Sequence, residues 1–474
     1  MNVSFLQELL NTVAEQGRQL LPWPLRNGDA TADIQDLSQA LVSVRGEASG
    51  VALAHQILTL YQGLSPEGKE TYFRFLSEKL GPDETRVAAA AGAYIADPTA
   101  ASLKELQVAV ESPRQEYFRR LNLAPGATAK IVAMRRDLLA VLGNDPGLAA
   151  VDSDLRHLLY SWFNRGFLVV RRIDWQTPAA ILEKIIAYEA VHEIRGWDDL
   201  RRRLDPADRR CFAFFHPSLI DDPLIFVEVA LTRDMPETIA SVLEEEAKNG
   251  QSAGPKTAVF YSISNCQEGL KGISFGNFLI KQVVEELARE QPSLRTFVTL
   301  SPMPGFARWL KSMLVHDETG LITPEIRHVL GALDEPDWVE DTDKLAQLEQ
   351  PLTVLAAHYL AMVNSAEGRP IDPVARFHLG NGARLERINW LANASVRGLK
   401  ESLGLMVNYL YEVKEIERNH EAYANEGLVA ISRSVRGLLK ASPKVRPGAE
   451  PKRLPAPDVP VETEIDDIVV PIGR

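Results

Sequence analysis

Through residue 164 the apolar positions recur at helical spacing, and after that they gather into short continuous runs. Phe5, Leu6, Leu9, Leu10 and Val13 form one stripe, with similar stripes over 51–61 and 131–142. This is the three-and-four spacing of an amphipathic helix. Breaker clusters separate the stripes: Ser65-Pro66-Glu67, Gly81-Pro82-Asp83, Asp97-Pro98, Leu123 to Thr128 and Asp145-Pro146-Gly147. Ser112-Pro113-Arg114-Gln115 reads as a capping box with proline at the first helical position. Residues 1–165 are therefore expected to form a bundle of short antiparallel helices.

The texture changes at Gly166. Strands are expected at Phe167 to Ile173, Arg210 to Phe215, Leu224 to Leu231, Thr257 to Ile263 and Thr296 to Leu300. Helical patterns fall between some of them, at Pro178 to Tyr188, Met235 to Ala247 and Phe278 to Arg289. From Pro304 to about Leu439 the pattern reads as mostly helical, interrupted by Asp372 to Gly382. The pattern as a whole divides the chain at 1–165, 166–441 and 442–474, the last a proline-rich, extended tail.

Length and charge narrow the classes. At 474 residues the chain exceeds one ordinary core. Its net charge of −12, from 52 basic and 64 acidic residues, argues against general binding to nucleic acid or an anionic membrane. Two cysteines, Cys211 and Cys266, are too few for a disulfide framework or a zinc cluster. Cys211 reads as core; Cys266, near a loop, is either core or a nucleophile. The N-terminal sequence lacks secretory and transit signatures, and no apolar run reaches the ~18 residues of a membrane span. A cytoplasmic protein is the expectation.

Thr257 to Phe306 carries the chemistry. An apolar strand, a glycine-bearing loop (QEGLKGISFG) and an amphipathic helix follow one another, then a second strand and SPMPGF. A helix N-terminus after such a loop presents free N–H groups and a positive dipole end, which suits a diphosphate. Gly272 to Gly276 also matches G-x-S-x-G, which would make Ser274 a nucleophile, although that elbow needs its serine directly at the strand end. An ordinary loop whose glycines permit its turns fits the spacing as well. Ser301 lies just past the second strand, where open α/β sheets place their chemistry; alternatively, Ser301-Pro302 is a helix cap. His378, before an Asn381-Gly382 turn signal, and His216 are candidates for moving a proton, or structural histidines. His192-Glu193 lacks the second histidine of a zinc-protease motif.

PLIFVEVALT (Pro223 to Thr232), FYSIS (Phe260 to Ser264), GNFLIKQVVEEL, LSPMPGF and FHLGNGARLERINWLANASVRGLKESLGLMVNY (Phe377 to Tyr409) together closely resemble the malonyl-CoA decarboxylase family, from about Trp162 to Tyr411. The resemblance implies an α+β chain: an N-terminal all-helical bundle domain involved in oligomerisation, then a GNAT-like α/β acyltransferase-fold catalytic domain. It implies catalytic roles for Ser301, His378 and Tyr411. It implies a CoA-contacting loop of Lys271, Gly272, Ile273, Ser274, Phe275, Gly276 and Asn277, with Ser301 and His378 also on the substrate. The implied reaction turns malonyl-CoA into acetyl-CoA and carbon dioxide through a thioester enolate, with Ser301 positioning the malonyl group and His378 protonating the enolate carbon near neutral pH. No metal or other cofactor is needed, since CoA belongs to the substrate. A homo-oligomer, dimer or tetramer, follows from the helical domain.

Two departures stand out. Some members carry glutamate where Ser274 stands, and the chain ends Pro-Ile-Gly-Arg and not in a peroxisomal Ser-Lys-Leu, as in a bacterial-type cytoplasmic enzyme. An acyl-CoA hydrolase using Ser274, or a GNAT-like acyl-CoA transferase or binding protein, remains open on the sequence.

Overall fold

A computed structural model describes residue 12 and residues 30–43, 46–143, 145–243, 254–273, 279–317, 319–335, 337–365 and 368–443. The stripe at Phe5 to Val13, the Ser274 to Asn277 part of the loop, residues 244–247 and the segment from residue 444 onward lie outside the described residues. The chain divides into two compact units.

The first unit takes in the described residues of Met1–Phe167, with His216–Ile220 and Gln267–Ile273. It is helical, from Ala30–Ser43 through to Ala149–Trp162. The predicted stripes supply its core: Val51, Leu53, Ile57 and Leu58 from one helix and Ile131, Met134 and Leu138 from another are buried. The expected capping box does not form. Pro113 does open a helix, but Ser112 makes no cap bond. Its hydroxyl donates instead to Asp154 Oδ2 at 2.7 Å, beside Arg114 Nε at 2.8 Å. A buried carboxylate gains more from a charge-assisted donor than an N-terminal N–H gains from a cap.

A second buried ion pair organises the start of the glycine loop. Arg135 Nε donates to Asp152 Oδ1 at 2.8 Å, while its Nη1 donates to Gly269 O at 2.9 Å and Lys271 O at 2.7 Å. The backbones there are so close that a Cβ on Gly269 would lie 1.9 Å from Val132 O. Only glycine fits that approach.

The second unit is built on a seven-stranded sheet ordered β1-β2-β3-β4-β5-β7-β6. Its strands are β1 (Val169–Ile173), β2 (Arg209–Phe215), β3 (Pro223–Thr232), β4 (Thr257–Asn265), β5 (Thr296–Thr299), β6 (Arg384–Asn389) and β7 (Met406–Leu410). Among these seven strands β4 and β5 pair in parallel and the other neighbours antiparallel. The β4–β5 crossover holds the helix Leu279–Glu290, which buries Leu279, Ile280, Val283, Val284 and Leu287. That spacing is one helical face, as predicted. On one sheet face Val259, Tyr261, Val298, Leu300 and Met406 pack together. By the two-residue alternation of strands, Thr299, Tyr409 and their neighbours point to the other face.

Three expectations are corrected. The stretch after Pro304 is not simply helical, because it contains β6 and β7. Asp372 to Gly382, expected as an interruption, holds the helix Pro373–Gly380. The helix expected from Met235 begins only at Ala240: Ile239 N–H is drawn to Ala392 O at 2.8 Å. Among the described residues, no helix is long and apolar enough to cross a membrane.

Candidate active site

Ser301 sits two residues beyond β5 and is not a helix cap, since the next helix starts at Phe306 with Gly305 before it. Its backbone is clamped to β7: Ser301 N–H donates to Val407 O at 2.8 Å, and Val407 N–H returns a bond to Ser301 O at 2.9 Å. The side chain is thereby fixed on the face shared with Tyr409.

His378 arrives from the helix Pro373–Gly380. Pro373 supplies a preset φ at the first helical position, and Asp372 Oδ1 accepts the Ala375 N–H at 2.9 Å as N-cap. At the other end Gly382 adopts φ +80°, with the place of a Cβ only 2.1 Å from Ile416 O. The helix Ile416–Glu426 holds that end, where Asn419 Nδ2 donates to Gly382 O at 3.2 Å.

The two elements meet at one point. Ser301 Oγ lies 3.0 Å from His378 Nε2, and His378 Nδ1 lies 2.8 Å from Tyr411 Oη. Tyr409 stacks on the imidazole at 4.6 Å between ring centroids. All three expected catalytic side chains are buried. Burial pushes the His378 imidazole down to about 3, so it is neutral at physiological pH. From the sequence a group titrating near neutrality is the expectation; desolvation of the buried ring overrides it. Burial also pushes the Tyr411 phenol well above its usual range, which makes it a donor. His378 Nδ1 is the acceptor available to it, so the imidazole hydrogen belongs on Nε2.

A stability effect follows. Between about pH 6.5 and pH 3 the unfolded chain binds a proton at His378 that the native state refuses. The native state is therefore unpenalised above about 6.5 and loses up to about 5 kcal/mol as pH falls toward 3. His378→Asn is expected to flatten part of that loss. Urea midpoints taken from about pH 7 to about pH 5 should fall more steeply for the wild type than for the variant, and parallel falls would refute it.

Four further neighbours of the pair carry no motif in the sequence. Thr299 Oγ1 accepts from Ser301 Oγ at 2.9 Å, and Tyr409 provides the stacking ring. Tyr359 Oη donates to Asp372 Oδ2 at 3.1 Å, and Tyr359 packs so closely on Gly305 that a Cβ there would lie 2.4 Å from the hydroxyl. Desolvation pushes the Asp372 carboxyl up to about 6 despite those donors. The Ser301-Pro302 and Asn381-Gly382 signals marked the two segments. Nothing local marked the partners: Thr299 lies two residues from Ser301 but is held by Tyr409, 110 residues on, and Tyr359 reaches Asp372 from 13 residues away.

Of the expected CoA loop, Lys271, Gly272 and Ile273 are described, within the first unit. Lys271 turns its carbonyl to Arg135, Gly272 takes φ +73°, and Ile273 is buried packing. Ser274, Phe275, Gly276 and Asn277 lie outside the described residues. His216 packs between Phe163 and Phe167 and accepts Ser218 N–H at 3.2 Å, a structural placement. Both cysteines are buried, and burial raises both thiols well above their usual range, which leaves Cys266 a poor nucleophile.

A family model described as the malonyl-CoA decarboxylase C-terminal domain matches residues 166–448, and one described as the N-terminal domain of malonyl-CoA decarboxylase matches 80–163. Among curated proteins, mitochondrial malonyl-CoA decarboxylase of Rattus norvegicus is 38% identical over 353 residues, covering 68% of this chain and 70% of that one. Its counterpart from Anser anser anser is 37% identical over 349 residues, covering 68% and 69%. The crystal structure of malonyl-CoA decarboxylase from Rhodopseudomonas palustris is 53% identical, with TM-score 0.83 over 86% of this chain and all of that one. That from Cupriavidus metallidurans is 36% identical, with TM-score 0.68 over 86% of this chain and all of that one.

Proposed function

The chain belongs to the malonyl-CoA decarboxylase family, a family of carboxy-lyases, and on that premise we propose that it converts malonyl-CoA to acetyl-CoA and carbon dioxide through a thioester enolate. The observation that supports this reading is the buried chain Ser301–His378–Tyr411, whose contacts are 3.0 and 2.8 Å. In the proposed reaction the bond between the carboxylate and the α-carbon breaks. Its electron pair moves into the thioester carbonyl, carbon dioxide leaves, and the enolate carbon takes a proton. The carbonyl is the electron sink, so the reading needs no metal, pyridoxal or biotin.

Each residue has one task in this scheme. Ser301 holds the malonyl group with its breaking bond aligned to the carbonyl π system. His378 gives its Nε2 hydrogen to the carbon while Nδ1 takes the Tyr411 hydrogen, so the imidazole stays neutral throughout. That suits a ring which burial keeps from charging. Water then supplies a proton to Nε2 as the Nδ1 hydrogen returns to the Tyr411 oxygen, which restores the starting tautomer. Lys271, Gly272 and Ile273, with the residues up to Asn277, hold the CoA diphosphate. The helical region, 1–165, assembles a cytoplasmic homo-oligomer, and 166–441 carries the catalysis.

Purified protein incubated with malonyl-CoA, without metal, biotin or ATP, is expected to give acetyl-CoA and an equal amount of carbon dioxide. Chromatography of the CoA species reads the outcome. Free CoA with malonate would replace this reading by a Ser274 hydrolase, and unchanged malonyl-CoA would remove the activity.

A further inference from the structure

The chain of hydrogen bonds at Ser301 does not end at the serine. Thr299 is completely buried, and its Oγ1 accepts the Ser301 hydroxyl hydrogen at 2.9 Å. The same oxygen accepts Tyr409 N–H at 3.2 Å, a strand donor that here finds a side chain in place of a main-chain carbonyl. Thr299 O in turn accepts Asn408 Nδ2 at 2.8 Å, and Asn408 Oδ1 is held by Asn389 Nδ2 at 2.8 Å and Arg387 Nε at 3.1 Å. Threonine 299 is thus fixed at both its main chain and its side chain.

Counting donors gives these contacts a direction. Tyr411 O–H points to His378 Nδ1, His378 Nε2–H points to Ser301 Oγ, and Ser301 O–H points to Thr299 Oγ1. Each of these three hydrogens has one acceptor. If the last acceptor is removed, the row no longer closes. Either Ser301 O–H turns back on Nε2 and drives the imidazole hydrogen to Nδ1, facing the Tyr411 hydrogen, or the serine hydrogen is buried without a partner.

We propose that Thr299 is a positioning residue for the proposed decarboxylation: by taking the Ser301 hydrogen it keeps the transferable hydrogen of His378 on Nε2, on the serine side. The proposal rests on the reading of Ser301 and His378 as the reacting pair. It also separates that reading from a serine nucleophile, because a serine whose hydrogen points away from the histidine is not being deprotonated by it. Thr299 is assigned no contact with a reacting atom and acts through Ser301.

The test combines a spectroscopic signature with kinetics on the full chain. In protein labelled with 15N-histidine, the His378 resonances, assigned by their loss in His378→Asn, are expected to show hydrogen on Nε2 and none on Nδ1. In Thr299→Val they should move toward Nδ1–H, with kcat lowered about ten- to a hundredfold and KM for malonyl-CoA within about twofold. Thr299→Ser keeps the acceptor and is expected to retain the wild-type tautomer and kcat within about threefold. Valine also deprives Tyr409 N–H of its partner, so if that variant does not fold, Thr299→Cys, a weak acceptor of similar size, takes its place with the same expected direction. A wild-type His378 carrying its hydrogen on Nδ1 overturns the proposal, as does a valine or cysteine variant with unchanged tautomer and kcat. The tautomer decides the matter even if the wild type yields no acetyl-CoA, an outcome that would count against the decarboxylase reading alone.

Discussion

Asparagine in place of His378 is expected to lower kcat for malonyl-CoA by about 10²–10⁴-fold and to leave KM within a small factor of its wild-type value. The size follows from what the imidazole supplies. It joins the Tyr411 phenol on one side to the Ser301 hydroxyl on the other, at 2.8 and 3.0 Å. Asparagine can replace only the nearer of these contacts, because its side chain ends where the imidazole Nδ1 lies. The hydrogen at the Nε2 position is then gone, and the enolate must wait for a proton from water in a buried site. The effect on KM should be small because His378 is assigned to the chemical step and the diphosphate contacts to another part of the chain. Steady-state kinetics at several pH values separate the two parameters. The wild type should show no ionisation near 6.5 attributable to this ring, which burial has moved to about 3. A variant that bound malonyl-CoA far more weakly yet turned over at the wild-type rate would show that His378 is a binding residue.

Where the sequence predicted well, one physical signal dominated. Strands β2 to β4 are buried along nearly their whole length, so they read as unbroken apolar runs. The crossover helix shows its buried face in the spacing of Leu279, Ile280, Val283, Val284 and Leu287. Strand β6 was illegible for the opposite reason. It lies at the end of the strand order, beside β7 and a single bridge from Leu385 to Ile431, and its Arg384, Glu386 and Arg387 side chains leave a charged segment with no apolar run. Strand β7 is five residues long and follows a helix with a similar mixture. Pro373 misled because proline both breaks a helix and begins one; the Asp372 cap decides for the second. Ser301 and His378 were legible as members of motifs. Thr299, Tyr359 and Asp372 were not, since their importance comes from contacts made across the fold.

The second large effect is expected far from the chemistry, at Arg135. Replacing it with methionine keeps the length and apolar stem of the side chain but leaves Asp152 without its partner. The pair is nearly sealed from solvent, with side-chain exposures of 2% and 11%. Breaking a buried pair from one side costs about 3–5 kcal/mol, because the remaining charge keeps its desolvation penalty. The residual exposure of Asp152 places the expectation at the lower end of that range. Two carbonyls also lose their donor, Gly269 O and Lys271 O. The backbone cannot shift to compensate, since Gly269 already lies against Val132 O with no room for a Cβ. The midpoint of the helical unit's urea transition, followed by circular dichroism, should fall accordingly. Removing both charges, with Arg135→Met and Asp152→Leu together, should recover most of the loss, because an apolar pair of similar volume carries no stranded charge. The double variant still lacks the donor that orders the loop ahead of Gly272. If this loop holds the CoA diphosphate, stability should return while KM for malonyl-CoA stays raised. Recovery of both together would mean that Arg135 serves the fold alone, and recovery of neither would mean that the two carbonyl bonds, and not the ion pair, hold this segment in place.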